Sequence, residues 1–341
     1  MGNRWQPHWD DGIIMRIALL GATGTIGQAT AKALLRHGHD VICPVRARAG
    51  VRGSLSMEKI RTLLAGAELL VGEPSVIFGK SSNWFQHQRI DAIVSCLASR
   101  TGTPSDAWAV DYRLHANILS LAESAGVKHF VLLSAICVQK PLLEFQQAKL
   151  AFETALIASD ISYSIIRPTA FFKSLAGQVQ RLKQGKPYLV FGDGRLTACK
   201  PISDRDLAEF LVRCLTDNDK LNRILPIGGP GAAITPLEQG DYLFKRLGKK
   251  PHFRHVPIQM IDAIIFALRT GGHWLPSLAD KAELAKIGRY YATESMLVWD
   301  PLQMKYDAQA TPSWGTDKLF AYYDRLIDGD EEVELGDHAV F

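Results

Sequence analysis

Short apolar runs alternate with longer stretches of mixed polarity along the first half of the chain, and this alternation sets the expected elements. "RIALL" (Arg16 to Leu20) precedes an amphipathic segment from Thr25 to Arg36, and "DVICPV" (Asp40 to Val45) follows. The rhythm continues through "AELLVG" (Ala67 to Gly72), "DAIVSCL" (Asp91 to Leu97), "HFVLLS" (His129 to Ser134) and "ISYSIIRP" (Ile161 to Pro168), with helix-length segments between them. Strands that are apolar throughout are buried on both faces, and helix-length connections suit parallel pairing. The expected fold class is α/β, a Rossmann-type doubly wound parallel sheet.

After Phe171 the rhythm loosens. "KQGKPYLVFGDGRLTACKPIS" has turn signals at Gly185, Gly192 and Gly194, and a helix is expected to open near Ser203 with Asp204 and Asp206 in its first turn. The implied division is an N-terminal arm over 1–14, a nucleotide-binding core over 15–170, a smaller C-terminal substrate-binding region over 171–330 and an acidic tail over 331–341. The longest apolar helical run, "IQMIDAIIFAL" (Ile258 to Leu268), is shorter than the roughly 18 residues of a membrane span. It reads as a core or pocket-lining helix, with contact at a membrane surface as the alternative.

Composition narrows the picture slightly. The chain has 341 residues, and 39 Lys and Arg against 35 Asp and Glu leave a formal charge of +4. The cations form no long run, so nucleic acid is not implied. Five cysteines, odd in number and without a CxxC pair, read as reduced thiols in a cytosol-like compartment. "MGNRWQPHWDDGII" contains acids and lacks an apolar signal core, which favours a cytoplasmic protein whose folded part begins near Met15.

"GATGTIG" sits between the first strand and the first helix. Gly21 makes the tight turn, Gly24 lets a phosphate approach the backbone, and Gly27 allows close packing of helix on strand. Thr23, Thr25 and Ile26 complete the loop around a pyrophosphate at the helix N-terminus. After the second strand, Arg46, with Arg48 nearby, stands where an NAD enzyme would present an acid; a guanidinium favours a 2′-phosphate and hence NADPH. Cys96, Leu97 and Ala98 end the fourth strand beside the adenine and ribose; Ser134, Pro168 and Thr169 end the next two strands toward the nicotinamide.

"LSAICVQKPLLEFQQAKLAFE" (Leu133 to Glu153) frames a reductase site with one substitution. Short-chain dehydrogenases use Tyr-x-x-x-Lys, the phenol acting as acid and the lysine holding the ribose. Here the pair is Phe145 and Lys149, Ala135 and Ile136 leave no serine beyond Ser134, and Asp111 falls about where a helical asparagine would lie. Two readings follow. Either the domain is a non-catalytic NADP-binding regulator or accessory subunit, or Lys149 serves reduction of a conjugated C=C, where a substrate π system absorbs the negative charge and no phenolic acid is needed. A small-molecule ene reductase acting on compact phenolics is a third option. The proton can come from Lys149, solvent or another side chain.

"LLSAICVQKPLLEFQQAKLAFE", "RPTAFFKSLAGQV", "VFGDGRLTACKPISDRDLA", "ITPLEQG" and "IGRYYATESMLVWD" closely resemble the NADPH-dependent divinyl chlorophyllide 8-vinyl reductases of the atypical short-chain dehydrogenase family, from about Met15 to about Leu319. The resemblance implies reduction of the 8-vinyl group of divinyl chlorophyllide or protochlorophyllide to ethyl in chlorophyll or bacteriochlorophyll synthesis. It also implies that Phe145 is the family's own residue. A protein of this kind is expected in the cytoplasm, in peripheral contact with a photosynthetic membrane. For the flat pigment the expected contacts are Phe145, Phe171 and Phe172; for its propionate, Lys173, Lys200 or Arg289. His115 and His255 are isolated histidines, and no metal ligand is assigned.

Overall fold

The computed structural model describes residues 13–50, 53–79, 82–272 and 276–331. Seven strands form one parallel sheet: β1 (Arg16–Leu20), β2 (Asp40–Val45), β3 (Glu68–Val71), β4 (Ala92–Ser95), β5 (His129–Leu133), β6 (Ser162–Pro168) and, after the short β7 (Tyr188–Phe191), β8 (Arg223–Ile227). Their order is β3-β2-β1-β4-β5-β6-β8, with the reversal at β1 and β4 that opens a crevice at the C-terminal edge. All six pairings within it are parallel, as the apolar runs predict.

Alternation along β1 shows how the sheet divides the core. Ile17 and Leu19 point into one cluster, shared with Ala31 and Leu34 of α1 (Thr25–Arg36), while Ala18 and Leu20 point into the other, with Ile118, Phe130 and Phe152. Phe152 belongs to α2 (Glu144–Ala158), the helix that carries the Phe145 and Lys149 frame. At the opposite edge of the sheet Arg16 pairs with Asp40 and with Glu68, tying the starts of β1, β2 and β3 together.

The expected boundary at residue 170 does not divide the molecule. α3 (Asp204–Thr216), capped by Ser203 as its sequence predicts, lays Leu207, Leu211 and Leu215 into the same cluster as α1, and β8 extends the main sheet. The chain thus leaves the Rossmann core after β6 and returns to it. The separate C-terminal cluster gathers Phe172, Val179, Tyr188, Phe244 and Tyr323, with β7 pairing in parallel to β9 (Phe253–Val256). α4 (Ile258–Gly272) and α5 (Pro276–Thr293) form a hairpin clasped by an Arg289 to Asp262 ion pair. Residues 1–12 of the expected arm and 332–341 of the expected tail lie outside the described residues.

Candidate active site

The glycine loop behaves as its spacing requires. Gly21 has φ +74°, and a Cβ there would sit 2.8 Å from the Cys96 and Leu97 backbone; a Cβ on Gly27 would lie 2.2 Å from the Gly21 carbonyl oxygen. Gly24 differs, because its Cβ would meet nothing nearer than 3.4 Å within the protein. Its bareness serves an incoming group instead of the fold. α1 starts on Gly24 with no side-chain cap and no acid in the first turn, so its first amides face outward unneutralised. That arrangement fits a dinucleotide phosphate. Arg46 follows β2 half-buried and makes no ion pair among the described residues, which leaves its guanidinium available to a 2′-phosphate.

Across the crevice, Lys149 projects from α2 and its Nζ donates to Asp111 Oδ1 at 3.0 Å. The Asp111 side chain is wholly buried and sits in a π-helical stretch, Trp108–Leu114, a distortion often found at functional sites. Burial pushes this carboxyl up, but the Lys149 charge and the hydrogen bond from the Ser99 amide outweigh it and hold it below its ordinary value. Asp111 Oδ2 is buried without a hydrogen-bond partner. Beside it lies a cavity of about 10 Å³, bounded by Asp111, His115, Ser134, Lys149 and Phe152, about the space of one water.

His115 is not free for a metal. Nε2 pairs with the Ser95 hydroxyl at 2.8 Å and Nδ1 with the Val110 carbonyl at 2.8 Å, while burial lowers its pKa to about 4. His255 pairs with the Gly192 carbonyl. Among the described residues no group of three or more His, Cys, Asp or Glu side chains is placed to hold a metal ion.

Ser134 ends β5 as expected, yet its hydroxyl points down the α2 side and donates to Glu153 Oε1 at 2.5 Å. Arg167 grips the same carboxylate with two donors. The buried Ser134 and Glu153 and the half-buried Arg167 brace α2 against β5 and β6, and no sequence motif announced them. Thr169 is also committed: it is buried, and its hydroxyl donates to the Lys200 carbonyl. Pro168 is buried at the end of β6, Cys96 and Leu97 are half-buried beside the glycine loop, and Ala98 is exposed on the crevice rim.

The aromatic expectations need correction. Phe172 is buried against Tyr322 in the C-terminal cluster, and Phe145 is buried with Ile136, Cys137, Ala148 and Tyr290, so neither presents an open face for stacking. Phe171 is half-buried against the Rossmann core. One helical turn separates Phe145 from Lys149, so the two share a face of α2 and the ring borders the lysine with apolar surface. Ile287, Tyr290 and Tyr291 of α5 complete this wall, with the Tyr290 hydroxyl donating to the Cys137 and Lys140 carbonyls. Sequence reasoning assigned these three no role; the block "IGRYY" was their only signal.

The propionate candidates are all otherwise engaged. Lys200 is buried, donating to the Thr311 carbonyl and the Ser313 hydroxyl; Arg289 pairs with Asp262; Lys173 reaches the glycine loop.

A family model described as NAD(P)H-binding matches residues 21–218. The chain is 49% identical to the chloroplastic divinyl chlorophyllide a 8-vinyl-reductase of Oryza sativa subsp. indica, over 95% of this chain and 82% of the relative. It is 47% identical to that of Arabidopsis thaliana, over 95% and 79%. A photosystem II assembly factor, Ycf39 of Guillardia theta, is 26% identical over 80% and 83%. Among solved structures, AtPrR2 with NADP+ and (+)pinoresinol aligns over 92% of this chain and 99% of its own, with TM-score 0.63 and 18% identity. A Bacillus cereus UDP-glucuronic acid 4-epimerase with NAD aligns over 71% and 86%, with TM-score 0.61 and 19% identity. These last two share the fold.

Proposed function

The chain belongs to the divinyl chlorophyllide a 8-vinyl-reductase family, and from that premise we propose that its crevice binds a divinyl chlorophyllide or protochlorophyllide and reduces the 8-vinyl group to ethyl with NADPH. The observation that carries the reading is a lysine site bordered by an apolar ring. Lys149 is anchored by Asp111 while Phe145 supplies no proton at the position of the usual acid. A carbonyl reductase needs that acid for the developing alkoxide; a vinyl group on a conjugated macrocycle does not, because the macrocycle spreads the charge.

A bound nicotinamide would supply the hydride, and the proton that completes the ethyl group would come from solvent, Lys149 or another side chain. The glycine loop and the α1 N-terminus hold the phosphates, Arg46 the 2′-phosphate, and Lys149 the nicotinamide ribose, with Asp111 fixing the ammonium in place. The apolar wall of Ile287 and Tyr291, backed by the buried Phe145 ring, excludes water from the reacting face, and the half-exposed Ile287 and Tyr291 are the part of it a pigment can meet. The regulator reading is weaker, since the assembly-factor relative is far less similar than the reductases.

Peripheral contact with a photosynthetic membrane from the cytoplasmic side is the companion reading. α4 buries none of its side chains and exposes Met260, Ile264 and Phe266. The segment 242–261 leading into it holds five Lys and Arg and no acid. No helix among the described residues is long and apolar enough to cross a membrane.

Incubation of purified protein with NADPH and divinyl chlorophyllide is the direct test. The Soret band is expected to move to shorter wavelength as conjugation is lost, with NADPH consumed in step. An unmoved band in protein that demonstrably binds NADPH would overturn the assignment.

A further inference from the structure

Lys173 lies in the segment that leaves the Rossmann core after β6 and reaches the glycine loop. Two anchors aim it. The Phe172 amide donates to the Ile202 carbonyl at 3.3 Å, and the Phe172 ring is buried in the C-terminal cluster, so the next side chain is turned back toward α1. Its Nζ donates to Thr25 Oγ1 at 3.0 Å. Thr25 is the first residue of α1, and its amide and those of Ile26 and Gly27 have no carbonyl partner within the helix and no side-chain cap.

The loop "GATGTIG" contains no cation. A dinucleotide carries a negatively charged pyrophosphate to this helix end, where dipole and amides alone would meet it. We propose that Lys173 is a pyrophosphate-binding residue, delivered to the cofactor by the C-terminal region.

An ammonium has three donors, so one can stay on the Thr25 hydroxyl while the others reach phosphate oxygens. The Lys173 charge also acts on Asp204 at the start of α3, whose Oδ1 is buried without a hydrogen-bond partner. The lysine therefore sits between a carboxyl on α3 and an anion site on α1, and cofactor binding strengthens its hold on the second. This assignment replaces the propionate role expected for Lys173. It rests on NAD(P)H binding alone and stands whatever the reduced substrate is.

The test compares NADPH with 2′-AMP, which carries the 2′-phosphate but no pyrophosphate, by calorimetry on the full chain. Lys173→Met keeps the aliphatic stem. It is expected to weaken NADPH about 10- to 100-fold, the worth of a charge-assisted hydrogen bond, and to leave 2′-AMP affinity within about twofold. Lys173→Arg should recover most of the loss, and Arg46→Ala should show the reverse preference by losing 2′-AMP. Unchanged NADPH affinity in Lys173→Met would overturn the proposal. Equal losses for both ligands would assign a purely structural role, and a raised pigment KM with NADPH binding intact would move Lys173 to the substrate; either also overturns it.

Discussion

Lys149 and Asp111 are thirty-eight positions apart and meet where a π-helical stretch holds the carboxylate buried. Lys149 was legible from its spacing to Phe145. Asp111 was legible only as an approximate counterpart of an asparagine, because no local pattern marks where a helix takes its extra residue. The pair lets stability and chemistry be measured separately. Lys149→Met alone leaves Asp111 as an unpaired buried carboxylate, a change that costs about 3–5 kcal/mol in buried pairs. Lys149→Met with Asp111→Asn removes that charge and is expected to restore most of the lost stability in urea unfolding. Turnover in the double variant should remain at least about 100-fold down, on the scale of a lost catalytic contact. Recovery of activity together with stability would show that Lys149 is structural.

The glycine loop and α1 make the same distinction among elements. Gly24→Ala adds a methyl that meets only ordinary contact inside the protein, whereas Gly27→Ala drives a Cβ into the Gly21 carbonyl. Gly24→Ala is thus expected to melt near the parent temperature while binding NADPH poorly. Gly27→Ala should lose stability by about 2–4 kcal/mol, as a steric clash at a packed helix start does. Differential scanning calorimetry with and without NADPH separates the two; a shared stability loss would refute the division of roles. The parallel strands were readable because each is a short apolar run, and α1 because its polar face repeats at helical spacing. The braces were not. Ser134, Glu153 and Arg167 are separate polar residues in sequence, and only the sheet order makes them neighbours. α4, read as a core helix or a membrane contact, half-buries Ile261, Ile265 and Leu268 in its hairpin with α5 and fully buries no side chain, since apolar periodicity cannot say which partner covers it.

For the whole molecule, the return of the chain to the sheet at α3 and β8 joins both regions to one core, so acid should be felt by the fold as a unit. The division at 170 was drawn where the alternating rhythm fades; β8 is a short apolar run of the same kind as the others, but it lies at the sheet edge, carries Pro226 and follows a long excursion of the chain, so it was not read as a strand. His115 and His129 are both buried within this core, and burial lowers each to about 4 from an ordinary value near 6.5. The unfolded chain therefore binds more protons than the folded one between these values. Stability from the two histidines is complete above about pH 6.5 and is lost as pH falls toward 4. Asp204 has the opposite sign: burial raises its carboxyl to about 6, so its contribution is present below about 3.8 and disappears as pH rises through 6. His39, also buried and lowered, adds to the two, so the balance against Asp204 is a net loss on acidification. His129→Gln should flatten the dependence of unfolding free energy on pH by up to about 1.4 kcal/mol per pH unit, one proton's worth, and Asp204→Asn should steepen it. Urea titrations from pH 8 to about 4.5 read both changes, and identical slopes in parent and His129→Gln would place the acid sensitivity outside this core.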